Sequence, residues 1–119
     1  MKYMLLIHQG DTPTPRDPEA WARLSEDEQK AVYADYQALN QTPGVTPGLG
    51  LDAPETATTV RVEDGRTLTT DGPFVAVKEA LGGWLVYDAD DLDAAIELAS
   101  RIPAARLGGA IEIRPIQEW

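Results

Sequence analysis

Hydrophobic positions in this chain fall into short blocks, and the first block is apolar on both of its alternations: Tyr3, Leu5 and Ile7 on one set, Met4 and Leu6 with His8 on the other. The run is too short for an independent helix, and a strand buried on both faces is its natural form. Residues 10–18 then collect Gly10, Pro13, Pro15 and Pro18 with two Thr and two Asp, which predicts an exposed loop. Pro18 to Leu24 reads as a turn or two of helix, capped by Asp17 and burying Trp21 and Leu24. Ser25 and Glu28 have the spacing of a capping box, and Val32, Tyr36 and Leu39 follow at i, i+4 and i+7, so a helix is predicted from Ser25 to near Asn40. Residues 41–54, with three Pro and three Gly, are expected to be irregular apart from a short extended piece at 49–51.

The clearest hairpin signal lies at residues 58–70, where β-branched alternation flanks Asp64-Gly65. Val60, Val62 and Leu68 are read as its core-facing set, with polar residues turned to water. A second Asp-Gly pair, Asp71-Gly72, precedes Pro73, which excludes Gly72 from the right-handed helical region and predicts a turn. Trp84 to Tyr87 is apolar on both faces and reads as a central strand; the paired Gly82 and Gly83 before it suggest a bulge or a close approach by backbone or ligand. Asp90 and Asp91 offer a cap to a helix whose apolar positions are Leu92, Ala95, Ile96 and Ala99, stopped by Pro103. A last strand, residues 110–114, alternates apolar with charged.

This order, strand, helix, hairpin, strand, helix, strand, predicts an α+β fold: a ferredoxin-like βαββαβ unit with an extra β-hairpin strand, in one domain over residues 1–119. Right-handed crossovers put both helices on one face of the sheet. The other face would then carry a contiguous apolar patch from the two central strands, and a second copy of the chain is its economical cover. A homodimer is the expectation.

Charge changes the list of partners. Twenty Asp and Glu against ten Lys and Arg leave a formal charge of −10, which repels phosphate polyanions, so direct nucleic-acid binding and an anionic membrane are not expected. The absence of cysteine removes disulfides and thiolate chemistry and fits a reducing compartment. No apolar run approaches the roughly 20 residues of a membrane span, and the expected location is cytoplasmic.

Several segments together resemble the YCII-related family in its DGPF-domain branch. They are Asp71-Gly72-Pro73-Phe74, Lys78-Glu79, Leu81-Gly82-Gly83, Asp91-Leu92-Asp93, the opening residues 1–7, Glu55 to Arg61, Ile102 to Arg106 and Glu112 to Pro115. The resemblance covers nearly the whole chain and implies a dimeric α+β barrel of ferredoxin-like subunits. For activity it implies only analogies of fold, to muconolactone isomerases, small monooxygenases and a hydrogen-chloride-eliminating relative, and fold does not carry function. Relatives of the DGPF branch are often linked with sigma factors, which implies a regulatory alternative. The His and Asp pair proposed as catalytic in other branches has no match on the first long helix here.

Candidate chemistry centres on Asp71, at a glycine-proline turn beside Phe74: either an acid/base carboxylate at a partly apolar rim or the cap of that turn. His8, the only histidine, ends the first strand and is either a general base or a hydrogen-bonded strand terminus. Lys78 and Glu79 either orient an anionic substrate or form a surface ion pair. Tyr33, Tyr36 and Trp84 either wall a pocket for a small aromatic molecule or pack the core. No His, Cys or carboxylate spacing suits zinc or iron, no glycine pattern suits a nucleotide, and neither serine, Ser25 or Ser100, sits in a nucleophile elbow. Neither a metal nor a cofactor is expected. Two functions follow from the residues: a cofactor-free enzyme of isomerase or lyase type acting by proton transfer, with Asp71, His8 and Lys78 catalytic, and a non-catalytic small-molecule-binding or regulatory dimer.

Overall fold

The computed structural model describes residues 1–72 and 81–117. Strand β1 (Lys2–His8) leads through helices α1 (Pro18–Ala22) and α2 (Glu26–Gln41) to β2 (Val45–Gly50). A hairpin of β3 (Thr58–Glu63) and β4 (Arg66–Asp71) follows, and β5 (Leu81–Asp88), α3 (Leu92–Ser100) and β6 (Ala110–Pro115) complete the chain. The main sheet has the order β2-β5-β1-β6, every neighbouring pair antiparallel. This is the ferredoxin-like arrangement of two split βαβ units, each helix linking two parallel strands that have another strand between them.

Alternation sets the two faces of the sheet. Tyr3, Leu5 and Ile7 lie across from Tyr87, Leu85 and Gly83 on β5. With Leu39 of α2 and Ala95, Leu98 and Ala99 of α3 they form the core, so both helices cover one face. Leu5, at 0% exposure, is fully enclosed. The opposite register positions, Met4 and Leu6 on β1 with Val86 and Trp84 on β5, are half-buried and turn away from the helices.

Local devices fall where the residue types ask for them. The Ser25 hydroxyl accepts from Glu28 N–H at 3.1 Å while the Glu28 carboxylate accepts from Ser25 N–H at 3.0 Å, a complete capping box. These bonds, the one to the backbone foremost, hold the Glu28 carboxyl below its ordinary range. Asp17 and Asp91 cap α1 and α3 through Ala20 N–H and Ala94 N–H. Trp21 and Leu24 are half-buried rather than fully enclosed. Tyr33, 59% exposed, instead meets Trp21 edge-on at 5.6 Å.

Three expectations need correction. Residues 45–50 form a true edge strand, although they contain Pro47; an edge strand pairs on one side only, so a missing donor can face outward. The hairpin joins no strand of the main sheet and forms a separate two-stranded ladder. Its two-residue turn pairs Arg61 with Leu68 and Val62 with Thr67, so Val60 and Val62 share a face while Leu68 points to the other, and none of the three is buried. On α3 the buried stripe is Ala95, Leu98 and Ala99, and Leu92 and Ile96 are exposed. Leu98 fills the space above the sheet, and at roughly 100° per residue that orientation carries Leu92 and Ile96 to the flank.

Candidate functional site

Because β1 and β2 are parallel, their carboxyl ends lie at the same end of the sheet, beside the start of β5. The loops that leave them therefore face each other, a place where open sheets form crevices. Between these loops opens a cleft of about 1140 Å³, large enough for a small organic molecule. Ile7, Leu49, Leu81 and Leu85 supply apolar wall, and Tyr36 from α2 and Trp84 from β5 add aromatic surface.

Two bulges shape this end of the sheet. The β1–β5 register shifts between Ile7 and His8, opposite Gly82, as the paired glycines suggested. The β2–β5 register shifts between Pro47 and Gly50. There Gly48 comes so near β5 that a Cβ on it would stand 2.1 Å from the Trp84 carbonyl oxygen and 2.5 Å from the indole ring. Only glycine allows β2 to lie against Trp84 in this way.

Polar groups reach the cleft from the loops. Arg16 donates from Nη1 to the Leu51 carbonyl, and the same nitrogen is 3.9 Å from Asp52 Oδ1. The guanidinium thus ties the loop after β1 to the segment after β2. Asp11, Asp17, Asp52 and Glu55 outnumber it in the lining, which makes the net charge around the cleft negative. Burial pushes the Tyr36 phenol above its ordinary range, and Arg106, held 2.7 Å from Asp35, opposes the shift. The phenol stays protonated at neutral pH and can donate a hydrogen bond.

Of the residues singled out in the sequence, Tyr36 and Trp84 both border this cleft, while Asp71 and His8 are not in its lining. His8 ends β1 with its Nε2 3.0 Å from Glu112 Oε1. The two share the sheet face turned away from the helices, since Glu112 pairs with Leu6 and His8 with Ala110. Asp71 ends β4, exposed, opposite Thr58. The turn after it is tied, among the described residues, by Gly72 N–H donating to the Ala57 carbonyl at 2.7 Å and by the Thr59 hydroxyl donating to the Gly72 carbonyl at 2.8 Å. Phe74, Lys78 and Glu79 lie outside the described residues. Among the described residues no cluster of three or more His, Asp or Glu is arranged to hold a metal ion, and no helix is long and apolar enough to cross a membrane.

Sequence reasoning missed Thr12, Arg16, Leu49 and Leu51, which sit in stretches that read only as Pro- and Gly-rich connections. The available signal was positional: both connections follow the carboxyl ends of strands joined through a crossover helix.

The chain is 32% identical over 121 residues to an uncharacterised protein of Rhizobium meliloti (strain 1021), an alignment covering 98% of this chain and 92% of that protein. The sequence model of the YCII-related domain matches residues 1–119 from end to end, and the chain belongs to that family.

Proposed function

We propose that this protein binds a small, neutral or cationic organic molecule in the cleft at the carboxyl ends of β1 and β2, and that it works as a cytoplasmic homodimer. The observation that carries the reading is the composition of the cleft: aliphatic and aromatic wall, the donors of Tyr36 and Arg16, and an excess of carboxylates, in a volume of about 1140 Å³. Such a mixture of apolar surface with a few placed polar groups is how ligand sites are built. Benzyl alcohol, benzylamine and benzoate test it by calorimetric titration. The alcohol and the amine bind, and benzoate binds at least tenfold more weakly; no binding of any of the three, or a preference for benzoate, refutes the reading.

The dimer draws its support from Met4, Leu6, Trp84 and Val86 on the sheet face away from the helices. Light scattering at micromolar concentration should give twice the chain mass, and Leu6→Asp should give the monomer. The sequence Asp71-Gly72-Pro73-Phe74 supports placement in the DGPF branch, and with it a regulatory role for ligand binding in sigma-factor control.

A second reading, a cofactor-free enzyme of isomerase or lyase type, is favoured by the His8–Glu112 pair, in which a carboxylate orients an imidazole. In it Asp71 is the acid/base, with His8 and Lys78 assisting. Asp71→Asn should then abolish turnover while leaving ligand affinity in the cleft unchanged; retained turnover removes Asp71 from the chemistry.

A further inference from the structure

The β3–β4 hairpin stands outside the core. Among the described residues neither of its strands joins the main sheet, and its base is tied by the bonds that link Gly72 to Ala57 and to Thr59. Val60 is 59% exposed and Val62 67%. A two-stranded hairpin in water is marginally stable unless something packs on it.

The register divides the hairpin into two unlike faces. Val60 pairs with Thr69 and Val62 with Thr67, so these four β-branched residues share one face, and the only charge on that face of the ladder is Asp71 at the base. Arg61, Glu63 and Arg66 stand on the other face, beside Leu68. In a chain with 25% charged residues, such a division marks one face for water and the other for a cover.

The surface of the whole chain says how large that cover is. The chain presents 8193 Å² of accessible surface, where a compact monomer of this mass presents about 6300 Å². Its radius of gyration is 16.2 Å, against about 13.5 Å for a compact domain of this length. The surplus of surface, roughly 1900 Å², is of the size that each partner of an obligate dimer buries. A second open surface, Met4 and Leu6 of β1 with Trp84 and Val86 of β5, lies on the same chain. Both surfaces lack charge where they are apolar, and two copies that each carry −10 come into close contact only through surfaces that set no like charges face to face.

We infer that the hairpin is an arm that reaches onto the second copy of the chain, with Val60, Val62, Thr67 and Thr69 against the partner and the face of Arg61 and Arg66 toward water. The inference rests on the homodimer proposed above and adds a second element to its interface. A two-fold axis makes the contact mutual, each copy covering the hairpin of the other.

Sedimentation velocity over a concentration series gives the dimer dissociation constant of the full chain. Val60→Thr combined with Val62→Thr keeps the β-branching that suits the strand, and should weaken the dimer at least tenfold, because methyl groups of both valines leave the interface in each copy. Leu68→Ser, on the charged face, should change the constant less than about threefold, as surface changes outside a contact do. A second measurement is independent of affinity. The chain has no cysteine, so Glu63→Cys carries a single nitroxide on the charged face, and in mixed dimers with nitrogen-15-labelled, unmodified chains it should broaden amide resonances of the labelled copy. A dissociation constant unmoved by the paired valine changes, an equal loss from Leu68→Ser, or mixed dimers without broadening overturns the arm and leaves the dimer through Leu6 standing. A chain that sediments as a monomer throughout overturns the dimer and the arm together.

Discussion

The four-stranded sheet and the β3–β4 hairpin are both antiparallel ladders, the first centred on strands apolar on both alternations and the second on alternating β-branched and polar residues, and they are held by different forces. In the sheet, alternate side chains of β1 enter a core closed by α2 and α3, and Leu5 has no exposed surface. In the hairpin, Val62 is 67% exposed and Leu68 44%. Its six cross-strand pairs are supported by backbone bonds, by the Asp64-Gly65 turn with both residues in the left-handed region (φ 50° and 76°), and by Thr59 at its base. A two-stranded hairpin on its own is marginally stable in water. Alternation therefore predicts that a strand forms; it does not say whether anything will cover it.

That contrast can be broken at several points, and the largest effect should come from the core. Leu5→Ala leaves a cavity beneath both helices and should cost about 2–5 kcal/mol in denaturant unfolding; a loss below about 1 kcal/mol would mean that the helices do not seal the sheet. Gly65→Val places a β-branched residue at φ 76° and should cost about 1–3 kcal/mol locally. Amide exchange in residues 58–71 should quicken while that of β1 and β5 stays as it was. Equal quickening in both sheets would show that the hairpin unfolds only with the rest. Val62→Ser should change the monomer's stability by no more than about 0.5 kcal/mol, and a larger loss in the assembled protein would reveal that a partner copy covers the hairpin.

The smallest effect belongs to a purely local device. Glu28 has its carboxyl held below the ordinary range by the bonds to Ser25. The depressed value means that the capping box contributes above the pKa of an unfolded glutamate and that the contribution is lost as pH falls through the lower, folded value. Glu28→Gln should therefore be slightly less stable than the parent at neutral pH, the difference closing in acid. A difference independent of pH would assign the effect to helix propensity instead.

What the chain made legible divides along the same line. Elements specified by near neighbours were readable: the two-sided apolar β1, the capping box, the Asp91 cap and the Asp-Gly hairpin turn. Elements specified by distant residues were not. Val45–Gly50 becomes a strand because β5 pairs with it, against the local preference of Pro47 and Gly48. The orientation of α3 is decided by what Leu98 meets across the core. In the cleft, the aromatic residues Tyr36 and Trp84 could be suspected from their type, whereas Thr12 and Arg16 gain meaning only once two loops, more than thirty residues apart, are seen to face each other. Asp71 and His8 looked alike on paper, lone titratable groups at the ends of strands. The fold gives one an open position on the hairpin and the other a carboxylate partner on β6.

The position of β1 in the sheet has a consequence for how the protein is made. Its two neighbours, β5 and β6, begin about 80 and 110 residues into the chain, so β1 is made before the other strands of its sheet and is among the last to find its partners. Closing such long loops is slow, and during synthesis at some 5–20 residues per second the segment Tyr3 to Ile7 travels for several seconds with apolar side chains and backbone bonds unmet. A hydrophobic strand waiting on a nascent chain for partners not yet made is the kind of segment that aggregates when nothing holds it.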